Sequence, residues 1–274
     1  MKQAIRDLFK PYQPGIAFSG EQSVVYEESM PQTGWDSYVY CYWRLHTPQP
    51  LTEPFKYRVV SDGCIDILFE QTRPEDLFIT GFSTQFIEYE LGHTFDYFGI
   101  RFLPAGFPAL FEYPAHHLTN AFLPLKEVIP SCYEALIGAV PSSFDLAQAT
   151  VLFDNLMEQQ LSQLPDLPEV DGRLLAAMNA ILESGGSIPL SQLDVGVSER
   201  QLRRLFSYYF GESPKTFARI VRFQNILGAK PSLDSLKNNK IFYDEGYYDQ
   251  AHFIKEFKAF YGVTPNQAFG RSSG

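Results

Sequence analysis

The most constraining feature of the chain is an internal repeat. Residues Ser198–Pro214 (SERQLRRLFSYYFGESP) and Asp249–Pro265 (DQAHFIKEFKAFYGVTP) match in order at an offset of 51 residues. Ser198 and Asp249 are both good N-caps, because a short side-chain oxygen can accept from a free amide of the first helical turn. Leu202 and Phe206 correspond to Phe253 and Phe257, an i, i+4 apolar pair on each helix. Gly211 corresponds to Gly262, where a helix ends on a left-handed residue. Ser213-Pro214 and Thr264-Pro265 then supply a second N-cap with proline at the first helical position. Such a chain contains two copies of a capped helix, a glycine turn and a new helix.

The two copies present different faces. In the first, Ser198-Glu-Arg-Gln fits a capping box, and Leu202, Leu205, Phe206 and Tyr209 form the apolar stripe. Arg200, Arg203, Arg204 and Ser207 form a second stripe displaced by about 200°. Val195-Gly196-Val197 places a turn just before the cap, as a helix-turn-helix requires. A guanidinium fork can pair with guanine O6 and N7 or clamp phosphates, so three arginines on one face suit a recognition helix. In the second copy Gln250, Ala251, His252 and Lys255 point away from Phe253 and Phe257. Glutamine can read adenine and alanine can touch a thymine methyl. For His252 two readings stay open, a donor to DNA or a structural surface histidine.

The net charge of −10 would argue against nucleic acid if it were spread evenly, but it is not. Residues 1–169 carry 9 Lys+Arg against 22 Asp+Glu, whereas residues 170–274 carry 13 against 10. The basic excess falls on the part that holds the repeat, where local charge matters more than the total.

At this point the C-terminal hundred residues resemble the DNA-binding domain of the AraC/XylS family of bacterial transcription regulators. The supporting text is Ser198-x-Arg-Gln-Leu-x-Arg-x-Phe206 with Gly211-x-Ser-Pro214. Gly246-Tyr-Tyr-Asp-Gln-Ala-His-Phe-x-x-Glu-Phe257 with Phe260-x-Gly-x-Thr-Pro265 adds to it. The resemblance implies recognition helices at 198–210 and 249–261 in successive major grooves of double-stranded DNA, joined by a linking helix from Pro214 to Gly228. It assigns contact to Arg200, Arg203 and Arg204 in one unit and to Gln250, Ala251, His252 and Lys255 in the other. Two departures concern the first helix of each unit. Leu190-Ser-Gln-Leu-Asp-Val is about a residue short and lacks the family's small alanine, and Phe242 stands at the equivalent place in Lys240–Gly246. Ala229–Asn239 is polar.

Ahead of the repeat, residues 23–101 read as β. Ser37–Arg44, Asp62–Phe69 and Tyr97–Phe102 are rich in β-branched and aromatic residues and are punctuated by Gly, Pro and Asp. Short helices are expected at Ala105–Phe111 and Leu125–Leu136, and a longer one at Phe144–Leu161. Leu164–Gly172, with two prolines, reads as a linker. Ser61-Asp-Gly-Cys-Ile-Asp-Ile-Leu-Phe, Gly99-Ile-Arg-Phe-x-Pro-x-Gly106 and Leu118-Thr-Asn are similar to the β-rich sensor-like domain that precedes some such DNA-binding domains. The expected fold class is therefore α+β multidomain. Residues 1–163 would form a β-barrel/cupin-like domain with following helices, 164–171 a linker, and 172–274 an all-α domain of two helix-turn-helix units. The resemblance implies a small-molecule effector and leaves RNA polymerase open as a further partner. A homodimer through residues 144–161 and simple packing of that helix on its own barrel are both open.

Enzyme chemistry has little to stand on. His116 and His117 are adjacent, His93 stands alone near Glu88 and Glu90, and the HxH-plus-Glu spacing of a cupin metal centre does not occur. No metal or cofactor is expected. Cys64 lies between Asp62 and Asp66, and a buried small hydrophobe is its default reading. The competing readings are a cupin-like or thiol-dependent enzyme fused to a DNA-targeting domain, and a protein-interaction module that has lost DNA binding. Cys41, Cys64 and Cys132 form no CxxC pair, no run of 18 apolar residues occurs, and the N-terminus lacks a signal-peptide pattern. A cytoplasmic protein without a membrane segment is expected.

Overall fold

The computed structural model describes residues 2–14, 24–32, 34–141, 143–162, 169–229, 231, 247 and 249–269. Its β-rich part contains β1 (Val25–Ser29), β2 (Val39–His46), β3 (Phe55–Val59), β4 (Ile65–Glu70), β5 (Arg73–Thr80), β6 (Ile87–Gly92), β7 (Asp96–Phe102) and β8 (Phe122–Pro124). Six strands form an antiparallel sheet in the order β1-β2-β7-β4-β5-β8, and β3 pairs with β6 in a separate two-stranded sheet. Among the described residues the strands thus form two sheets and no closed barrel. The β-rich character expected for the first half is present, and the departure is in closure.

Strand alternation sends side chains to opposite faces of the large sheet. Tyr42, Ile67, Phe69, Phe98, Ile100 and Phe102 belong to the main apolar core, shared with the helices. Cys41, Trp43 and Leu45 point the other way, into a smaller cluster with Phe55 of β3. Both faces of the central strands are therefore covered, and the runs there are apolar almost throughout.

The helices are α1 (Lys2–Leu8), α2 (Gly106–Phe111), α3 (Leu125–Val128), α4 (Pro130–Ile137), α5 (Leu146–Ser162), α6 (Gly172–Glu183), α7 (Glu199–Tyr209), α8 (Pro214–Ala229), α9 (Gln250–Tyr261) and α10 (Pro265–Phe269). The single helix expected over Leu125–Leu136 is split at Ile129, because Pro130 has no amide to continue it and disfavours helical backbone in the residue before it. The apolar face of α5 (Ala149, Phe153, Leu156 and Met157) is buried against its own protein. Among its described side chains, Val151 is the large hydrophobic left exposed. Among the described residues no helix is long and apolar enough to cross a membrane.

The helix α8 is the spine of the C-terminal part. Phe217 packs on Phe206 and Phe210 at ring separations of 5.7 and 4.9 Å. Six residues on, Phe223 packs on Phe257 and Phe260 at 5.5 and 5.3 Å. Each capped helix thus rests on its own aromatic anchor of one shared helix. The repeat is also present in the backbone, since Gly211 and Gly262 take φ of +97° and +94°.

The β-rich part docks on the ends of both capped helices. Phe210 stacks on Phe82 at 4.9 Å and lies against Gly63. The Thr119 hydroxyl donates to the Gly211 carbonyl at 2.8 Å. On the second unit, Ser61 N–H donates to the Phe260 carbonyl and Phe86 N–H to that of Ala259. Gln224 of α8 donates to the Ser61 carbonyl and accepts from the Tyr12 amide. The main apolar core consequently runs without a break from the sheet into α6, α7, α8 and α9. Of the expected linker, residues 164–168 lie outside the described residues.

A Cβ at Gly211 would lie 2.5 Å from Thr119 Oγ1, whereas one at Gly196, also at positive φ, would meet nothing within 4 Å. Both Gly211→Ala and Gly196→Ala should lose about 1–2 kcal/mol for left-handed backbone. Gly211→Ala should lose about 1–3 kcal/mol more for the clash. Urea unfolding checks this, and equal losses would mean that the two parts do not dock at this turn in solution.

Candidate nucleic-acid interface and a cavity between the sheets

The capping box expected at Ser198 is formed. The Ser198 hydroxyl accepts from Gln201 N–H at 3.3 Å, and the Gln201 side chain accepts from Ser198 N–H at 3.1 Å. With Leu202 and Phe206 buried against the core, Arg200, Arg203 and Arg204 all face outward. They line a broad open concavity whose rim includes Arg173 and His116. Arg173 did not stand out in the sequence, and His116 did so only beside His117 as a histidine pair weighed against metal binding. Arg173 sits in the first turn of a different helix, and His116 comes from a 3-10 turn of the β-rich part, so no local spacing links them to α7. Arg173 is engaged by Asp171, whose carboxyl its hydrogen bonds hold down at about 2. Arg203 pairs with Glu199 at 3.4 Å, but both are exposed. Such a pair is worth only about 0.3–0.5 kcal/mol, so Arg203 can exchange it for a phosphate at little cost.

The first unit departs from regular helix-turn-helix geometry where the sequence is short. Leu190–Gln192 makes a single 3-10 turn in place of a full helix ahead of the Gly196 turn. The corresponding segment of the second unit, 240–246, and residues 232–239 lie outside the described residues.

In α9 Asp249 accepts from His252 N–H at 2.7 Å, capping the helix as expected. Gln250, Ala251 and Lys255 are exposed. His252 is exposed on one side, while its ring meets Tyr247 at 5.6 Å and its Nε2 lies 4.0 Å from Glu256. Glu256 is buried and ion-paired with Arg219 of α8. The histidine therefore has structural contacts as well as a free edge. The sixteen residues of α8 span roughly 24 Å at 1.5 Å per residue.

A second feature lies between the two sheets. A cavity of about 120 Å³ is bounded by Trp43, Leu68, Tyr89, Leu91 and Phe122, with Asp62, Asp66 and Arg101 at its polar end. Asp66 and Arg101 are opposed in the β4–β7 register. Arg101 Nε donates to Asp66 Oδ1 at 3.1 Å, and Trp43 Nε1 donates to the same oxygen at 2.7 Å. The indole reaches it because residue 99 is glycine: a Cβ there would lie 2.3 Å from the ring. Asp62 accepts from Cys64 N–H and from the Gln13 side chain, and stands 3.9 Å from Arg101 Nη2.

Burial raises the Asp66 carboxyl to about 6, outweighing the opposing pull of Arg101. Burial and the Asp62 charge push the Cys64 thiol well above its ordinary range, which works against a nucleophilic thiolate. Among the described residues no group of three or more His, Cys, Asp or Glu side chains is placed to hold a metal ion. Between about pH 4 and 6 folded Asp66 holds a proton that the unfolded chain has released. Its contribution to stability therefore falls as pH rises through that window. Unfolding titrations should show the wild type losing more stability than Asp66→Asn between pH 4.5 and 6.5. Identical pH slopes would contradict a raised carboxyl.

Residues 193–271, which contain both capped units, match the family described as a helix-turn-helix domain. Residues 27–124 match a domain of unknown function (DUF6597), a span that begins within β1 and ends with β8. No curated protein sequence matches the chain. Among solved structures, ToxT from Vibrio cholerae O395 aligns over 93% of this chain and 100% of its own at 11% identity, with a TM-score of 0.40. Wild-type ToxT from Vibrio cholerae strain SCE256, solved with an unsaturated fatty acid, aligns over 91% and 95% at 10% identity, with a TM-score of 0.38.

Proposed function

We infer, from the premise that the C-terminal segment is a helix-turn-helix domain of the AraC/XylS type, how this DNA-binding transcription regulator uses its two units. The recognition helices are α7 and α9, entering successive major grooves of one duplex. Arg200, Arg203 and Arg204 serve the first groove, and Gln250, Ala251, His252 and Lys255 the second. The single observation that carries the reading is the exposed arginine face of α7, set by its cap and by the burial of Leu202 and Phe206. Arginine can supply both bidentate base contacts and phosphate contacts there.

Control is assigned to a small effector held between the two sheets. Asp62, Cys64, Gly81 and Ser83 line the cavity. The same two loops contact the ends of both capped helices, through Ser61, Gly63, Phe82 and Phe86. A change at the cavity mouth can thus bias both helix ends together, which is what an effector needs if it is to prefer one arrangement. Support for control by dimerisation through 144–161 is weaker, since the apolar face of α5 is already buried.

Each phosphate that an arginine neutralises contributes about −0.9 to the slope of log K against log salt. Full-length protein titrated against a mixed-sequence duplex should lose roughly two to three such contacts when Arg200, Arg203 and Arg204 are all changed to Ala. An unchanged salt slope would remove α7 from the interface.

A further inference from the structure

We propose that the cavity between the sheets binds a neutral, ring-sized apolar molecule carrying one hydrogen-bond acceptor, which docks on Arg101. The proposal deepens the effector reading above and rests on it for any role in regulation. Size comes first. An engineered cavity of ~150 Å³ lined by aliphatic and aromatic side chains takes up benzene, so about 120 Å³ suits a single ring. Trp43, Leu68, Tyr89, Leu91 and Phe122 provide apolar walls for such a ring.

The hydrogen-bonding inventory fixes the polar end. Arg101, at the polar end of the cavity and 5% exposed, makes its hydrogen bonds among the described residues through Nε alone, and its Nη2 stands 3.9 Å from Asp62. A buried unpaired donor on a charged group is costly, and an acceptor on a ligand relieves that cost. The carboxylates do not compete for the ligand. Asp66 already accepts from Trp43 and Arg101, and Asp62 from Cys64 N–H and Gln13. Two carboxylates already face one guanidinium, so an anionic ligand would add a third negative charge to a desolvated site. A cationic ligand would meet the positive charge of Arg101 at close range in the same desolvated site. A carbonyl on a neutral ring satisfies the site without changing its charge.

The test is calorimetric titration of the full-length protein, without DNA, against acetophenone, ethylbenzene and benzoate. Acetophenone should bind about tenfold more tightly than ethylbenzene, the worth of one hydrogen bond to a charged donor, and more tightly than benzoate. Arg101→Lys keeps the charge but removes the guanidinium fork, and should abolish the preference over ethylbenzene. Should that variant unfold, Leu91→Trp fills the cavity without touching the ion pair and should weaken all binding. The proposal is overturned if benzoate binds as well as acetophenone, if ethylbenzene equals it, if none of the three binds, or if Leu91→Trp leaves binding unchanged. Because DNA is absent, failure of DNA recognition would leave this result standing. Ligand binding without any change in DNA affinity would remove only the regulatory role.

Discussion

The arrangement of this protein depends on the aromatic packing of two helices against one. Phe217 holds α7 and Phe223 holds α9, both from α8. Each contact buries large rings on both sides, and burying one such side chain is worth about 1.5–3 kcal/mol. That is enough to fix the helices relative to each other, whereas the exposed charges on their outer faces contribute little to folding. The faces that can meet DNA are therefore free to differ, arginine-rich in one copy and Gln/Ala/His/Lys in the other. Similar aromatic anchoring with unequal surfaces is what the proposed reading of two different stretches of sequence rests on.

The β-rich part extends the same logic. It packs against the two glycine turns that end α7 and α9, using loops 60–63, 82–86 and 115–120. Loops that bound the cavity are thus in direct contact with the ends of α7 and α9. A ligand that shifts Asp62 or Ser83 acts on packed neighbours, and close-packed interiors transmit such shifts with little slack. The buried Arg101–Asp66 pair adds a polar end to an otherwise apolar cavity.

Much of this was legible in the sequence, and unevenly so. Local rules govern caps and turns, so Ser198, Asp249, Gly211 and Gly262 announced the two units, and the cap and turn geometry is present at all four. The same rules located the outward arginines, because the phase of Leu202 and Phe206 fixes the opposite face. The long-range contacts were less accessible. Asp66 and Arg101 each stand out as a charge inside an apolar strand, but their pairing depends on β4 and β7 being neighbours, with the partners 35 positions apart. Sheet closure, Arg173 and His116 at the rim, and the docking of Phe210 beneath Phe82 likewise depend on topology. The short text at Leu190 was readable as a departure, and it became one 3-10 turn because too few residues remain before Gly196 for a full helix.

The central claim is that α7 and α9 of a single chain read two unlike blocks of DNA held at a spacing set by α8. Selection of bound sequences from a random duplex pool by the full-length protein tests it most directly. The account predicts one asymmetric motif, with two dissimilar blocks centred about 10 base pairs apart. Arg200→Ala should relax one block and Gln250→Ala the other. Enrichment of a palindrome with identical halves, or no enrichment at all, would contradict it.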